Sequence, residues 1–458
     1  MSFSRLSGLF GLTVLALAAG SAGAAPAPDW SRFGYDAGRQ NAAPAAGISA
    51  SNVGRLVRRR VTLDGTVDSS PISVGGLVVV TTSYGKTIAI DPASGRIRWR
   101  YTPSGYSSWA GSYRITNSSP VADPDGKFVY AAAPDGKIRK LSLANGREVW
   151  ATSISRNPGR EKLGTALNVT RNLVVATTGG YIGDAPPYQG HVAAIDRRTG
   201  RIVNVWNALC SERSGLIVPS TCPESGAAIW ARSGAVVDPA TGNLLVATGD
   251  GAWDGRRYWG DSVLMLSPDA GRLLQAWTPS TQAALNSGDV DLGSTAPALL
   301  PGRLAVQGGK DGELRLLDLR RLNGRGGARP VTGGELHTLP TPGPAAVFSA
   351  PAVWRDWVFV TTYSGTAAYR LDGRRLKRIW ENGTAGASPV VAGGLLYVYN
   401  PGGGLNVYTP TGGRLLATLP AGRGHWNSPI VTDGRVILPE GDANDHQTSG
   451  ILDIYRVP

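Results

Sequence analysis

The chain has 458 residues, of which 42% are hydrophobic and 17% charged, and 46 Lys and Arg against 33 Asp and Glu give it a formal net charge of +13. The apolar fraction is sufficient for a sizeable core, so the composition excludes a chain without a folded domain. Gly (62) and Trp (13) are abundant. Since glycine punctuates turns and tryptophan packs between sheets, this balance favours many short strands.

Residues 1–24 have the features of a secretory signal peptide. Arg5 gives a short basic region, residues 9–19 form an apolar core, and Ala22-Gly-Ala24 is a small-x-small site, with cleavage predicted near Ala24. The apolar core is too short to span a membrane, no later stretch is long enough, and no Cys is present there for a lipid anchor. We therefore predict a secreted or periplasmic protein without a transmembrane segment or a lipid anchor.

The two cysteines, Cys210 and Cys222, suit an oxidising compartment. We predict that they form a disulfide that closes a short loop, the alternative being two free thiols. No His or second Cys pair has the spacing of a zinc site.

Residues 25–54 are irregular, and residues 55–63 are predicted to form a strand. A repeat then begins, with a small residue and Pro, an apolar run, Gly, a second apolar run ending in Asp, Gly and finally Trp. Pro suits the start of a strand, and the Asp-x-x-x-Gly element suits a tight turn. The copies begin at Ser70-Pro71, Ser119-Pro120, Leu173 (a looser copy), Ser233, Ala296-Pro297, Ala350-Pro351, Ser388-Pro389 and Ser428-Pro429.

A repeat of roughly 40 to 55 residues with four short apolar runs is typical of one blade of a β-propeller. The eighth copy stops at Tyr455, before its last strand, and the strand predicted at residues 55–63 can supply it. We therefore predict an all-β fold. Residues 55–458 would form an eight-bladed propeller of four-stranded antiparallel blades, with the ring closed by an N-terminal strand and seven blades as the alternative.

The repeat and four motifs resemble the pyrroloquinoline-quinone (PQQ) type of β-propeller. This group includes quinoprotein alcohol dehydrogenases, polyvinyl-alcohol dehydrogenase-like proteins and the outer-membrane assembly scaffold of the same fold. The motifs are Gly179–Gly190, Asp238-Pro with Ala247-Thr-Gly-Asp250, Asp289-Val-Asp-Leu-Gly293 and Gly309-Lys-Asp-Gly312.

In the dehydrogenases of this group, the resemblance implies a calcium ligand at Asp250, where the family has Asn. It implies a catalytic base at Asp291 or Asp289, and a contact between Lys310 and the quinone oxygens. A carboxylate to accept the alcohol proton, a cation to stabilise the reduced quinone and a metal to polarise it would suit a redox site.

Other positions depart from the family pattern. Tyr181 replaces the expected glutamate ligand, and the tryptophan that forms the floor of the quinone site falls at Arg232, although Trp230 is nearby. The adjacent cysteine pair that caps the quinone is absent. No Cys-x-x-Cys-His occurs, so no haem c is attached and electrons would need a separate acceptor.

These departures favour a non-catalytic propeller that binds an envelope protein or polymer through its loops. The alternative is a PQQ- and calcium-dependent alcohol dehydrogenase acting on a small alcohol or a polyvinyl-alcohol-like substrate. The acidic residues and Lys310 could also be plain turn residues. Arg clusters are spread around the blades, so we predict a solvated basic surface, no specific nucleic-acid binding and a monomer.

Overall fold

A computed structural model describes residues 1–2, 29–44, 47–323 and 331–458, so nearly all of the predicted signal peptide lies outside the described residues. Eight sheets are each built on four antiparallel strands, which follow one another along the chain except that the outermost strand of the eighth sheet comes from the N-terminal part. They form an eight-bladed β-propeller, which confirms the predicted fold and the higher of the two blade counts. Within the described residues, no helix is long and apolar enough to cross a membrane.

Each blade runs from its innermost to its outermost strand. The strands of blades 1 to 4 are Ile72–Val74, Leu77–Thr81, Thr87–Ile90 and Ile97–Tyr101; Val121–Ala122, Phe128–Ala133, Lys137–Ser142 and Glu148–Ser153; Asn168–Thr170, Leu173–Thr177, His191–Asp196 and Ile202–Asn207; and Val236–Val237, Leu244–Ala247, Val263–Leu266 and Leu273–Trp277. Those of blades 5 to 8 are Ala298–Leu300, Leu304–Gln307, Glu313–Asp318 and His337–Pro340; Ala352–Trp354, Trp357–Thr361, Thr366–Asp372 and Arg375–Asn382; Val390–Ala392, Leu395–Tyr399, Leu405–Tyr408 and Leu415–Leu419; and Ile430–Thr432, Arg435–Glu440, Gly450–Arg456 and Val57–Leu63.

The remaining elements are short. Ala42–Ala43 adds a fifth, parallel strand to blade 7, and Glu161–Lys162 pairs with Gly179–Gly180 beside blade 3. The α-helix Gln282–Ser287 lies between blades 4 and 5. Single 3₁₀ turns occur at Val53–Arg55, Tyr106–Ser108, Pro219–Thr221, Leu292–Ser294 and Ala443–Asp445.

The Trp that ends several repeats packs on the next blade. Trp99 of blade 1 donates its indole N–H to the carbonyl of Leu143 in blade 2, at 2.7 Å. A Cβ on Gly146 would lie 2.6 Å from the Trp99 ring, and Gly146 also has a φ of +73°. The turn glycine of one blade therefore makes room for the tryptophan of the blade before it.

The ring is closed by the N-terminal strand. Val57–Leu63 pairs antiparallel with Gly450–Arg456 and is the outermost strand of blade 8. One apolar cluster contains Leu63 together with Leu452 of blade 8 and Val78 of blade 1, so the last blade packs against the first. The predicted closure is confirmed.

The irregular N-terminal segment, by contrast, occupies the axis of the ring. The carbonyls of Trp30 and Ser31 accept hydrogen bonds from the innermost strands of blades 1 and 2, and those of Ala37, Gln40 and Asn41 from blades 4, 6 and 7. The free edge of an innermost strand faces the central channel, so the segment satisfies backbone groups that would otherwise lack partners.

Ring closure can be tested on the closing strand with a matched pair of substitutions. Leu63 is 1% exposed in the core between blades, whereas Val57 of the same strand is 47% exposed. Leu63→Ala should lower the free energy of unfolding by about 2–5 kcal/mol, and Val57→Ala should change it by less than about 0.5 kcal/mol. Chemical denaturation of both variants measures this. Equal losses would mean that the strand does not contribute through its buried face.

Candidate active site

One face of the ring carries the candidate site. Because the four strands of a blade alternate in direction, the loops between second and third strands share a face with the connections between blades. A pocket of about 460 Å³ lies among these segments. Its lining contains six of the seven residues predicted for a cofactor, a metal or a base, namely Tyr181, Trp230, Asp250, Asp289, Asp291 and Lys310.

Three carboxylates form the acidic part of this pocket. Asp250 follows the second strand of blade 4, and Asp289 and Asp291 lie in the connection to blade 5. One oxygen from each of the three lies within 4.8 Å of the others. Asp291 is 3% exposed, and its Oδ1 accepts a hydrogen bond of 2.8 Å from the backbone N–H of Asp250. The three residues therefore form one cluster, which we call the carboxylate cluster.

Lys310 neutralises part of this cluster. Its Nζ lies 2.5 Å from Oδ2 of Asp291 and 2.9 Å from Oδ1 of Asp289. Burial alone would lower the pKa of Lys310, but the two carboxylates outweigh burial and raise it. The ammonium group also lies 5.7 Å from the centre of the Trp230 ring. Lys310 is therefore a charged group held against the aromatic side of the pocket.

The cluster still holds more negative charge than Lys310 can balance. Burial, together with Asp291 and Asp184, raises the pKa of Asp250 to about 8. Burial likewise raises the pKa of the neighbouring Asp261 to about 7. These two buried carboxyl groups therefore keep their protons to a higher pH than an exposed aspartate does. A bound cation would offset the free-energy cost of charging these buried carboxyl groups.

Trp230 and Arg232, the two candidates for the floor, have different positions. Trp230 lines the pocket, whereas the side chain of Arg232 is buried behind it. The Arg232 guanidinium donates to the carbonyls of Asn117, at 2.7 Å, and Gly164, at 3.1 Å, and lies 4.8 Å from the centre of the Trp426 ring. Arg232 therefore supports the wall of the pocket and does not line this cavity.

Tyr181 lines the pocket without offering a carboxylate. Its hydroxyl donates to the carbonyl of Pro158, at 3.1 Å, and burial raises its pKa to about 12. Asp184 of the same loop also lines the pocket, and its pKa is raised by burial and by Asp291 and Asp289. A carboxylate therefore occurs three residues after the position where the family pattern expects glutamate.

An aromatic wall and a buried ion pair were not predicted from the sequence. Trp426 lies 5.8 Å from Trp230, ring centre to ring centre, and stacks on His425 at 4.1 Å. His425 Nδ1 lies 2.8 Å from Oδ2 of Asp68, which is 1% exposed. Burial would raise the pKa of Asp68, but the facing His425 and Arg232 outweigh it and hold the pKa below its ordinary value. Lys162, Phe348 and Asn444 were also missed among the lining residues.

The predicted disulfide is present. Cys210 and Cys222 are bonded in the connection between blades 3 and 4, with a Cα–Cα distance of 6.1 Å. Both half-cystines pack in one apolar cluster with Ile229, next to Trp230, and with Trp259 of the blade 4 loop. The disulfide thus stabilises the connection that carries Trp230.

Comparisons with known proteins point to one fold. Residues 54–222 match the family model of the outer membrane protein assembly factor BamB. The quinohemoprotein alcohol dehydrogenase of Comamonas testosteroni is 26% identical over 341 residues, which cover 66% of this chain and 46% of that protein. Quinohemoprotein alcohol dehydrogenase ADH IIB of Pseudomonas putida is 25% identical over 276 residues, covering 54% of this chain and 39% of that protein. The chain thus spans less than half the length of these two relatives.

The structural comparison agrees. The crystal structure of the Comamonas testosteroni quinohemoprotein alcohol dehydrogenase superposes with a TM-score of 0.71 at 18% identity, covering 95% of this chain and 81% of that one. At this identity the similarity concerns the fold. Taken with the eight four-stranded blades, it shows that this chain has the eight-bladed propeller fold, and the matched family model and the relatives support a β-propeller of the pyrroloquinoline-quinone type.

Proposed function

We propose that this protein is a dehydrogenase that oxidises an alcohol with PQQ and a hard metal cation and passes the electrons to a separate acceptor. The observation that supports this best is the convergence of the carboxylate cluster, Lys310 and the indole of Trp230 in one pocket. The sequence alone favoured a non-catalytic propeller, which stays a prediction. The geometry of the pocket favours the enzyme.

The residues of the pocket fit both groups. A volume of about 460 Å³ lies in the range of small-molecule sites. The carboxylate oxygens of Asp250 and Asp291 are donors that Ca²⁺ prefers, and Asp184 can add a further oxygen. Burial and the neighbouring Asp291 raise the pKa of Asp250, and a bound cation would favour its charged form. The flat ring of Trp230 suits a planar ligand.

The two candidate bases differ in the freedom of their oxygen atoms. Both oxygens of Asp291 are engaged, one by Lys310 and one by the N–H of Asp250. Asp289 has a side chain that is 73% exposed, and only its Oδ1 is paired with Lys310. A base needs a free oxygen within reach of the hydroxyl proton. We therefore assign the base to Asp289 and a role as cation ligand to Asp291.

The roles of the chain's residues follow from these contacts. A bound quinone would supply the two-electron acceptor for the hydride of the alcohol carbon. Asp289 accepts the hydroxyl proton, so the alcohol becomes a carbonyl compound. Lys310 holds both aspartates in position and keeps a positive charge beside the ligand. Trp230 orients the ligand plane.

We further propose that the protein works outside the cytoplasm. The disulfide between Cys210 and Cys222 suits an oxidising compartment. Fractionation of expressing cells, with the N-terminus of the purified protein determined by mass spectrometry, tests this proposal. Accumulation of unprocessed protein in the cytoplasm would contradict it.

The enzymatic proposal is tested with purified protein freed of metal. After addition of PQQ and Ca²⁺ and removal of the excess, the absorption spectrum should show retained quinone. Dye reduction should then depend on an added primary or secondary alcohol. Protein that retains no quinone and shows no turnover would contradict the proposal.

A second candidate, a binding protein of the cell envelope, is supported by the family model that residues 54–222 match. In that case the protein should retain no quinone, and cross-linking in intact cells should capture one envelope component reproducibly. Retained quinone with alcohol-dependent turnover would remove this candidate.

A further inference from the structure

Lys162 is a pocket lysine that the proposed chemistry leaves unused. It belongs to the short strand Glu161–Lys162, which pairs with Gly179–Gly180 in the blade 3 loop. Successive side chains of a strand point to opposite sides. Glu161 is buried and accepts a hydrogen bond of 2.5 Å from the Ser155 hydroxyl, whereas Lys162 lines the pocket. The carboxylate next to Lys162 in sequence therefore does not pair with it.

The amine of Lys162 has no direct partner. Among residues 1–2, 29–44, 47–323 and 331–458, none lies within hydrogen-bond or ion-pair distance of its Nζ. The side chain is half-buried, and its ammonium group has three donors. Burial, reinforced by the neighbouring Arg232, lowers the pKa of Lys162 to about 8. The structure thus contains a cationic donor group that lacks an acceptor.

Three carboxylates act electrostatically on Lys162, and each already accepts hydrogen bonds from other donors. Asp68 is paired with His425, at 2.8 Å, and also accepts from Asn117 and two backbone N–H groups. Asp184 accepts the hydroxyl of Tyr188, at 2.8 Å. Asp442 accepts the N–H of Asn444 at the start of a 3₁₀ turn. An acceptor for Lys162 must therefore come from outside the chain.

Two sides of the pocket therefore carry groups of opposite charge. The blade 4–5 side carries the carboxylate cluster and suits a cation, whereas the blade 2–3 side carries Lys162. A ligand that occupies the whole pocket would meet both sides across the aromatic surface of Trp230 and Trp426.

We infer that Lys162 is an anion-binding residue and that it takes a carboxylate of the ligand that occupies this pocket. With respect to the quinone, the inference rests on the proposed function, because PQQ would then be the ligand that brings the carboxylate. The inference that Lys162 binds an anion depends only on its place in the pocket and on the lack of an acceptor for its amine among the described residues.

The test compares Lys162→Met, which keeps the length of the side chain and removes its charge, with Lys86→Met. Lys86 lies in a loop on the same face, but its Nζ is paired with Asp64 at 2.9 Å and it does not line the pocket. Isothermal titration calorimetry measures the affinity for PQQ, for its trimethyl ester, for isophthalate and for the uncharged isophthalamide.

Lys162→Met should weaken binding of PQQ and of isophthalate by about tenfold or more, since a hydrogen bond to a charged group contributes that much. It should leave binding of the ester and the diamide within about twofold, and Lys86→Met should change none of the four. Circular dichroism and the melting temperature verify that both variants are folded.

The outcomes separate this inference from the proposed function. Wild-type protein that binds isophthalate through Lys162 but no PQQ would support the anion site and contradict the quinone enzyme. Equal affinity of wild-type and Lys162→Met protein for PQQ would overturn the inference and leave the enzyme intact. Failure of the wild-type protein to bind either acid would overturn the inference.

Discussion

Asp289→Asn should reduce alcohol-dependent turnover by about 10²–10⁴-fold, the usual contribution of a general base. The amide cannot accept the hydroxyl proton, yet it has nearly the size of the carboxylate. The backbone carbonyl of Asp289 still accepts from Lys310, at 3.1 Å, and Lys310 remains paired with Asp291. The affinities for Ca²⁺ and PQQ should therefore change little. Steady-state kinetics with a dye acceptor and calorimetry of both ligands measure the two effects.

Asp291→Asn is the matched comparison, since it removes a carboxylate of the same motif. Asp291 is buried and pairs with Lys310 at 2.5 Å. The variant removes a negative charge that both Lys310 and the cation contact, so it should weaken cation binding by about tenfold or more. Its turnover should recover partly at high Ca²⁺ concentration, whereas that of Asp289→Asn should not. The opposite pattern, with Asp291→Asn inactive at saturating Ca²⁺ and Asp289→Asn active, would assign the base to Asp291.

The architecture could be predicted from the sequence because each blade repeats the same local chemistry. A turn glycine makes room for a tryptophan of the preceding blade, as Gly146 does for Trp99. Both residues recur at a fixed spacing that the sequence shows. The missing strand after Tyr455 predicted the closure by Val57–Leu63. The role of residues 29–44 at the axis could not be predicted. Many of their contacts use backbone carbonyls, which any sequence can offer, and the side chains of Arg32, Arg39, Gln40 and Asn41 donate to carbonyls more than 100 positions away in the sequence.

The site could be predicted only in part, since its residues are brought together by ring closure. Asp289 and Asp291 share one motif, and Lys310 lies in the next loop, so the resemblance found them together. Asp68 and His425 are 357 positions apart, and only the junction of blades 8 and 1 makes them neighbours.

A signal for the aromatic wall was present but was not used. Trp426 precedes Ser428-Pro429 by two residues, and Phe348 precedes Ala350-Pro351 by two. The residues before each such Pro lie in the connections between blades, on the face that carries the pocket. Alignment of the repeats at these positions would have found both side chains. Trp230 and Arg232 could not be separated in this way, because both lie in the same connection.

Gly249→Ala should weaken Ca²⁺ binding by about tenfold or more, although the change adds one methyl group and removes no ligand. A Cβ at this position would lie 2.0 Å from Oδ1 of Asp291 and 3.3 Å from Nε1 of Trp230. Asp291 cannot withdraw without losing Lys310 and the N–H of Asp250. The methyl group must therefore displace either the carboxylate or the chain. Overpacking of this kind costs about 1–3 kcal/mol of stability.

Gly383→Ala is the control for this prediction, because a Cβ at Gly383 would meet nothing within 4 Å. Calorimetric titration with Ca²⁺ and thermal unfolding of both variants separate an effect on the cluster from a general effect on the fold. In Gly249→Ala, excess Ca²⁺ should raise the melting temperature less than in the wild type, because a ligand stabilises only in proportion to its affinity for the folded state. Wild-type Ca²⁺ affinity in Gly249→Ala would mean that the cation binds without Asp291, and the carboxylate cluster would then not be the metal site.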